Sequence, residues 1–240
     1  MLKLIKKVSD LPREEVNSFL DRSMKEQKKV NVVTANPEII MHGTRTQEIY
    51  DFLLGDDTLI TPDGIGVVKA YNRLFNADIE RLAGVDTVKD MLSLINTEKR
   101  SLFVYGAKQE VLDKFKTKLE TEYPNIIIKG LFNGYDHTLE QAHDYAQDAQ
   151  ADLVLIALGV PRQELFMIQC ADINKGVFIG CGGSIDVLSG MTKRAPKLVM
   201  KLNLEWLYRI AFKPKRMKRF WDNQVIFFLR VYKLGAKKND

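Results

Sequence analysis

The sequence predicts an α/β fold: a mostly parallel sheet flanked by helices, followed by a helical, basic C-terminal appendage. Three observations predict it. Short apolar, β-branched runs alternate with segments of helical period, the pattern of strand–helix–strand units. Several of those runs are apolar on both faces, as strands of a covered parallel sheet are. The charge is also split. Residues 194–240 carry 13 Lys and Arg against 3 acids, a balance of +10, while residues 1–193 carry 23 against 28, a balance of −5.

The elements follow in order. Strands are predicted at VNVVTA (31–35 at its core), TLIT (58–61), SLFVYG (101–106), NIIIKG (125–130), ADLVLIALG (151–159) and GVFIGCG (176–182). AKQEVLDKFKTKLETEY (107–123) and TLEQAHDYAQDAQ (138–150) have apolar residues at helical spacing. A Rossmann-like sheet with helices on its faces accounts for residues 1–193. The composition changes near Gly190–Pro196, so residues 194–240 are read as the appendage. From Lys197 the row Lys201, Glu205, Arg209, Lys213 marks one face of a helix, with Leu198, Leu202, Trp206 or Leu207, and Ile210 opposite. Pro214 stops that helix or begins another, and 215–231 fits a second amphipathic helix.

With 240 residues, 45% hydrophobic and 28% charged, the chain is globular and long enough for a sizeable core. The start, MLKLIKKVSD, has no long apolar run and no small-residue cleavage site, so no secretory leader is expected. No window approaches the roughly 18–20 apolar residues of a membrane span. Cys170 and Cys181 form neither a disulfide framework nor a CxxC pair, which points to a reducing, cytoplasmic setting.

Four stretches place polar residues at predicted strand ends, where open α/β sheets bind ligands. In TPDGIGVV (61–68), Asp63 follows a strand and precedes a helix. Pro-Asp-Gly is also an ordinary turn tripeptide. An aspartate in water titrates near ~4, so an ionised carboxylate at that place can act as general base. In VVTANPEII (32–40), Thr34 and Asn36 are either helix caps or ligand contacts, with Pro37 at the first helical position. In LGVPRQELF (158–166), Gln163 and Glu164 occupy a first helical turn. A carboxylate there is explained by the helix dipole, leaving the Gln163 amide freer to bind a sugar or base. FIGCGGSIDV (178–187) fails as a dinucleotide fingerprint, because Ile185 stands where the third glycine is needed. A nicotinamide-type oxidoreductase is thereby disfavoured. The histidines His42, His137 and His143 have no metal-ligand spacing, and Asp56-Asp57 lacks a separated DxD pattern, so no metal or other cofactor is expected. No P-loop or nucleophile-elbow motif is present.

For the tail, three readings compete: a nucleic-acid tracker, a membrane-surface segment, or a packed helix with a solvated basic face. The net-acidic body and the absence of a nucleic-acid module argue against the first.

Taken together and in this order, TANPEI, TPDGIGVV, ERLAGVD, LGVPRQELF, FIGCGGSIDVLSG, KRAP and LEWLYRIAFKPKRMKRF resemble the WecG/TagA/CpsF family of bacterial glycosyltransferases over about residues 31–221. Two departures touch the tail: Asn203 stands where glycine is expected, and FKPKR replaces a more acidic EPxR pattern. The resemblance implies an inverting, metal-independent transfer of a sugar from a UDP-sugar to a lipid-diphosphate-linked GlcNAc. N-acetylmannosamine, its uronic acid and a hexose are the sugars that relatives transfer. It implies Asp63 as base, and Thr34, Asn36, Arg81 and Gln163 as lining of the donor and acceptor pocket. Tyr135 and Asp186 are implied for the uridine, and Arg209, Arg216 and Arg219 as the tail's arginine pattern. It also implies peripheral attachment to the inner face of the cell membrane through the tail, with no nucleic acid as partner.

Overall fold

A computed structural model of the chain describes residues 1–196, 199 and 221–236. Six strands form one parallel sheet: β1 (Lys29–Ala35), β2 (Thr58–Pro62), β3 (Ser101–Gly106), β4 (Ile127–Phe132), β5 (Leu153–Ala157) and β6 (Gly176–Gly180). Their spatial order is β2-β1-β6-β5-β3-β4. The predicted α/β class, with its mostly parallel sheet, is the observed one.

Alternating side chains divide each strand between two cores. Val33 of β1, Phe103 and Tyr105 of β3, and Ile156 of β5 lie in the first. Val32, Val104, Leu155 and Ile179 lie in the second. The first core is covered by α1 (Leu2–Lys6), α3 (Pro37–Gly43), α4 (Gln47–Leu54), α5 (Ile65–Phe75), α8 (Leu139–Ala149) and α9 (Arg162–Gln169). The second is covered by α2 (Arg13–Lys25), α6 (Gly84–Thr97), α7 (Gln109–Glu122) and α10 (Ser184–Leu188). Both faces of the inner strands are therefore dry, which is why their sequences read as continuous apolar runs.

Strand bounds differ from expectation by at most two residues, and for β4 and β5 the reason is physical. β4 begins two residues late because Ile126 N closes a turn onto the Tyr123 carbonyl, and the ladder starts only where Ile127 N reaches the Arg100 carbonyl. β5 is shorter at both ends than 151–159, since Leu158 and Gly159 already belong to the turn into α9. At the opposite edge, the carbonyl of Ile60 in β2 accepts from Ser9 N, which occupies part of an otherwise open strand edge.

The described C-terminal portion is a π-helical turn, Trp221–Val225, running into α11 (Ile226–Ala236). The turn packs on α3 and the helix on α5. Phe227 and Val231 are buried in the first core, and truncating a buried phenylalanine costs about 3–5 kcal/mol. This end of the appendage is thus packed into the α/β body. The helix expected from Lys197 and the first part of the helix expected over 215–231 lie outside the described residues.

The order of strands positions a cleft. β1 and β5 send their following helices, α3 and α9, to the first face. β6 and β3 send α10 and α7 to the second. Neighbours β1, β6, β5 and β3 therefore splay their outgoing chains alternately, opening crevices at their carboxyl ends.

Candidate active site

At the end of β2 the chain turns into α5 through Asp63 and Gly64. Gly64 N donates to the Ala35 carbonyl of β1, drawing the β2 turn against the end of β1. The approach needs glycine: a Cβ at Gly64 would lie 2.9 Å from Asn36 Cα. Asp63 is then gripped from the second face. Arg81 Nε donates to its carbonyl at 2.5 Å, and Arg81 Nη2 and Gly84 N each donate to Oδ1 at 3.2 Å. The pair is part-exposed, with the Asp63 side chain 28% and the Arg81 side chain 24% accessible. The result is an oriented carboxylate at the mouth of the crevice.

At the end of β1, Thr34 and Asn36 have different tasks. Asn36 caps α3, its Oδ1 accepting from Glu38 N at 2.9 Å and Ile39 N at 3.2 Å, with Pro37 opening the helix. Of the two alternatives read for Asn36, its side-chain oxygen takes the cap. Thr34 is buried, donates from Oγ1 to the Gly180 carbonyl at 2.7 Å, and packs its methyl on Gly84.

The end of β5 runs through a cis Val160–Pro161 bond into α9. Gln163 is only 2% exposed. Its Oε1 accepts from Gly182 N at 3.1 Å and its Nε2 donates to Glu164 Oε1 at 2.9 Å. The amide expected to be free is already engaged at both ends. It lies so close over β6 that a Cβ at Gly180 would sit 2.7 Å from Nε2. Glu164, placed in the first turn as expected, is 1% exposed. Burial pushes its carboxyl up to about 7; the Gln163 hydrogen bond opposes this and the nearby Glu38 charge adds to it.

Thr34, Asn36, Asp63, Arg81 and Gln163 thus meet in one patch at the ends of β1, β2, β5 and β6. Tyr135 stands at another strand end, and Asp186 farther along the chain after β6. Tyr135 follows β4 and is 72% exposed, presented by Asn133, whose Oδ1 accepts from Tyr135 N and Asp136 N. Asp186 sits half-buried in the first turn of α10 after β6. Arg209, Arg216 and Arg219 lie outside the described residues. Beside the patch, Arg194 forms a bidentate pair with Asp86 of α6 at 2.7 and 2.8 Å, tying the segment that leads into the appendage to the site. Arg194 holds the Asp86 carboxyl below its ordinary value.

Several contributors escaped prediction as site residues. Gly84 and Asp86 sit in ERLAGVD and Arg194 in KRAP, stretches that carry the family resemblance without showing what those residues touch. Gly180 and Gly182 lie in a run that failed as a dinucleotide fingerprint and carries the family resemblance without showing what these glycines touch. Asn133 precedes a glycine and an aspartate, which is a turn signal that could have located the loop.

Comparison with known proteins identifies the family. Residues 3–240 match the sequence model described as the glycosyl transferase WecG/TagA/CpsF family. A protein of Bacillus subtilis (strain 168) named N-acetylglucosaminyldiphosphoundecaprenol N-acetyl-beta-D-mannosaminyltransferase is 42% identical over 206 residues, covering 84% of this chain and 79% of that protein. Proteins of the same name from Bacillus spizizenii (strain ATCC 23059 / NRRL B-14472 / W23) and Staphylococcus aureus (strain NCTC 8325 / PS 47) are 33% and 32% identical. They cover 88% and 86% of this chain, and 83% and 81% of their own lengths. The chain belongs to the WecG/TagA/CpsF family and is a glycosyltransferase.

Proposed function

We propose that this enzyme transfers N-acetylmannosamine from a UDP-sugar to GlcNAc-diphosphoundecaprenol, in one inverting displacement without a metal ion, as a step in building the wall teichoic acid linkage unit. The names of its relatives support the acceptor and the sugar. The observation that carries the chemistry is Asp63, an oriented carboxylate at the mouth of the crevice. The acceptor hydroxyl oxygen attacks the anomeric carbon as its proton passes to Asp63. The bond from that carbon to the diphosphate breaks, and UDP leaves with the electron pair. A single displacement inverts the centre and needs one base. Arg81, by holding Asp63 Oδ1, fixes the plane of the carboxylate.

The metal-free reading rests on the character of the acids. Asp56 and Asp57 sit at the amino end of β2, the far end of the sheet from Asp63, and Asp57 Oδ2 is taken by Asn31. Charge building on UDP then falls to cations such as Arg209, Arg216 and Arg219. The appendage attaches the enzyme to the inner face of the membrane. Among the described residues no helix is long and apolar enough to cross a bilayer. α11 instead exposes Phe228, Leu229 and Tyr232 beside Arg230 and Lys233, an apolar and basic mixture suited to an anionic surface. Each Lys or Arg near such a surface contributes ~1 kcal/mol.

The test is a donor screen with purified protein and a short-chain GlcNAc-diphosphate-lipid, following UDP release. Turnover is expected with UDP-N-acetylmannosamine and is unaffected by a chelator. Preference for UDP-N-acetylmannosaminuronic acid or a UDP-hexose would redirect the reading to a surface polysaccharide, and strong inhibition by chelator would refute the metal-free step.

A further inference from the structure

Among the described residues, Glu164 is the one buried carboxyl group that the proposed reaction leaves without a task. It is shut away in the first turn of α9, where Glu38 of α3 is its charged neighbour. Its Oε1 accepts from Gln163 Nε2, and its Oε2 has no hydrogen-bond partner among the described residues. Burying a polar oxygen without a partner costs free energy, and a leucine or methionine would fill the volume at no such cost. The acid is therefore poorly explained by packing.

Its hydrogen bond to Gln163 has a direction that matters. A glutamine amide has two orientations, exchanging oxygen and nitrogen. Gly182 N–H requires the oxygen on one side, and Glu164 Oε1 requires the NH2 on the other. Flipping the amide would oppose donor to donor at Gly182. From that fixed amide a chain of contacts reaches the base. Gln163 covers Gly180, the Gly180 carbonyl accepts from Thr34, the Thr34 methyl packs on Gly84, and Gly84 N donates to Asp63.

We propose that Glu164 is a positioning residue of the transferase site, which locks the Gln163 carboxamide so that its oxygen holds Gly182 N–H and sets the turn after β6 beside Thr34 and Asp63. Glu164 touches no reacting atom; it acts through Gln163. The proposal rests on the transfer reaction above only for the meaning of a rate.

The experiment compares Glu164→Gln and Glu164→Leu in the full chain, each also in a Gln163→Ala background. Loss of one buried hydrogen bond predicts that Glu164→Leu lowers kcat about tenfold, with KM for the donor changing less, while Glu164→Gln, which keeps an acceptor, stays within about threefold. In the Gln163→Ala background the Leu substitution has lost its target and changes kcat by less than about twofold. Should the leucine variant fail to fold, Glu164→Met repeats the comparison. Amide hydrogen exchange at Gly182, read by NMR, accelerates in the apolar variant and not in Glu164→Gln. A folded apolar variant at the wild-type rate, equal losses in both backgrounds, or a Gln variant as poor as the Leu variant would each overturn the proposal. If wild-type protein transfers no sugar, the reaction reading fails by itself. Gly182 exchange then decides the role of Glu164: unchanged exchange in the apolar variant refutes it.

Discussion

Two strand ends of this enzyme each carry an acid, and the fold treats them in opposite ways. After β2, Asp63 stays part-exposed, with the cation Arg81 and the Gly84 amide on one oxygen. After β5, Glu164 is buried with no cation on its carboxyl among the described residues, facing a neutral amide and the charge of Glu38. The first environment suits a carboxylate that must take a proton and let it go. The second suits a carboxyl group that orients a neighbour. What differs is the chain around them: a glycine-permitted loop with an arginine reaching in, against a short helix packed on β6, α4 and α8.

That contrast is broken or sharpened by a graded set of changes. The largest effect is expected at Asp63: Asp63→Asn removes the base and lowers kcat by about 10²–10⁴, while Glu164→Gln does not. Steady-state UDP release reads both. Arg81→Ala leaves the base in place and loosens its aim; a lost charge-assisted hydrogen bond of about 1.5–3 kcal/mol corresponds to a tenfold to hundredfold fall in kcat. If Arg81→Ala equals Asp63→Asn, Arg81 has a share in the chemistry beyond orientation.

The next effect is on stability. Glu164 keeps its proton up to about 7 in the folded chain but only to 4.5 when unfolded. The folded state thus binds the extra proton between those values. Stability falls as pH rises through that window, by on the order of 3 kcal/mol. Denaturant titrations from pH 4 to 8 should show that slope, and Glu164→Gln should flatten it. Asp86 supplies the opposite sign. Arg194 lowers its folded value below 3.8, so its contribution is present above 3.8 and is lost as pH falls through the folded value. Asp86→Asn should remove that smaller acid-side loss. An unchanged acid limb would mean the pair does not hold the segment before the appendage.

Much of the fold was legible because a doubly covered parallel sheet writes each inner strand as an unbroken apolar run, as in VNVVTA and LVLIA. The spatial order was not, since β2-β1-β6-β5-β3-β4 follows from which face each connecting helix packs on. The edge strand β4, exposed on alternate residues, carried the weaker signal and its start was misplaced. At the site, Asp63, Thr34, Asn36, Arg81 and Gln163 were all named from sequence, and the structure groups them. Glu164 was read as a first-turn acid explained by the helix dipole, because local spacing cannot show that the fold buries it beside the charge of Glu38. Nor could composition show that Phe227 and Val231 enter the main core. A chain cut after residue 195 would lose stability as well as the appendage.

The central claim, that Asp63 accepts the acceptor proton, is tested most directly by single-turnover transfer. Enzyme in excess over UDP-N-acetylmannosamine, with saturating GlcNAc-diphosphate-lipid, isolates the chemical step from binding and release. Wild-type enzyme should form the disaccharide-lipid in one fast phase. Folded Asp63→Asn with undiminished UDP affinity should be slower by about 10²–10⁴. Equal single-turnover rates for the two proteins would contradict the account.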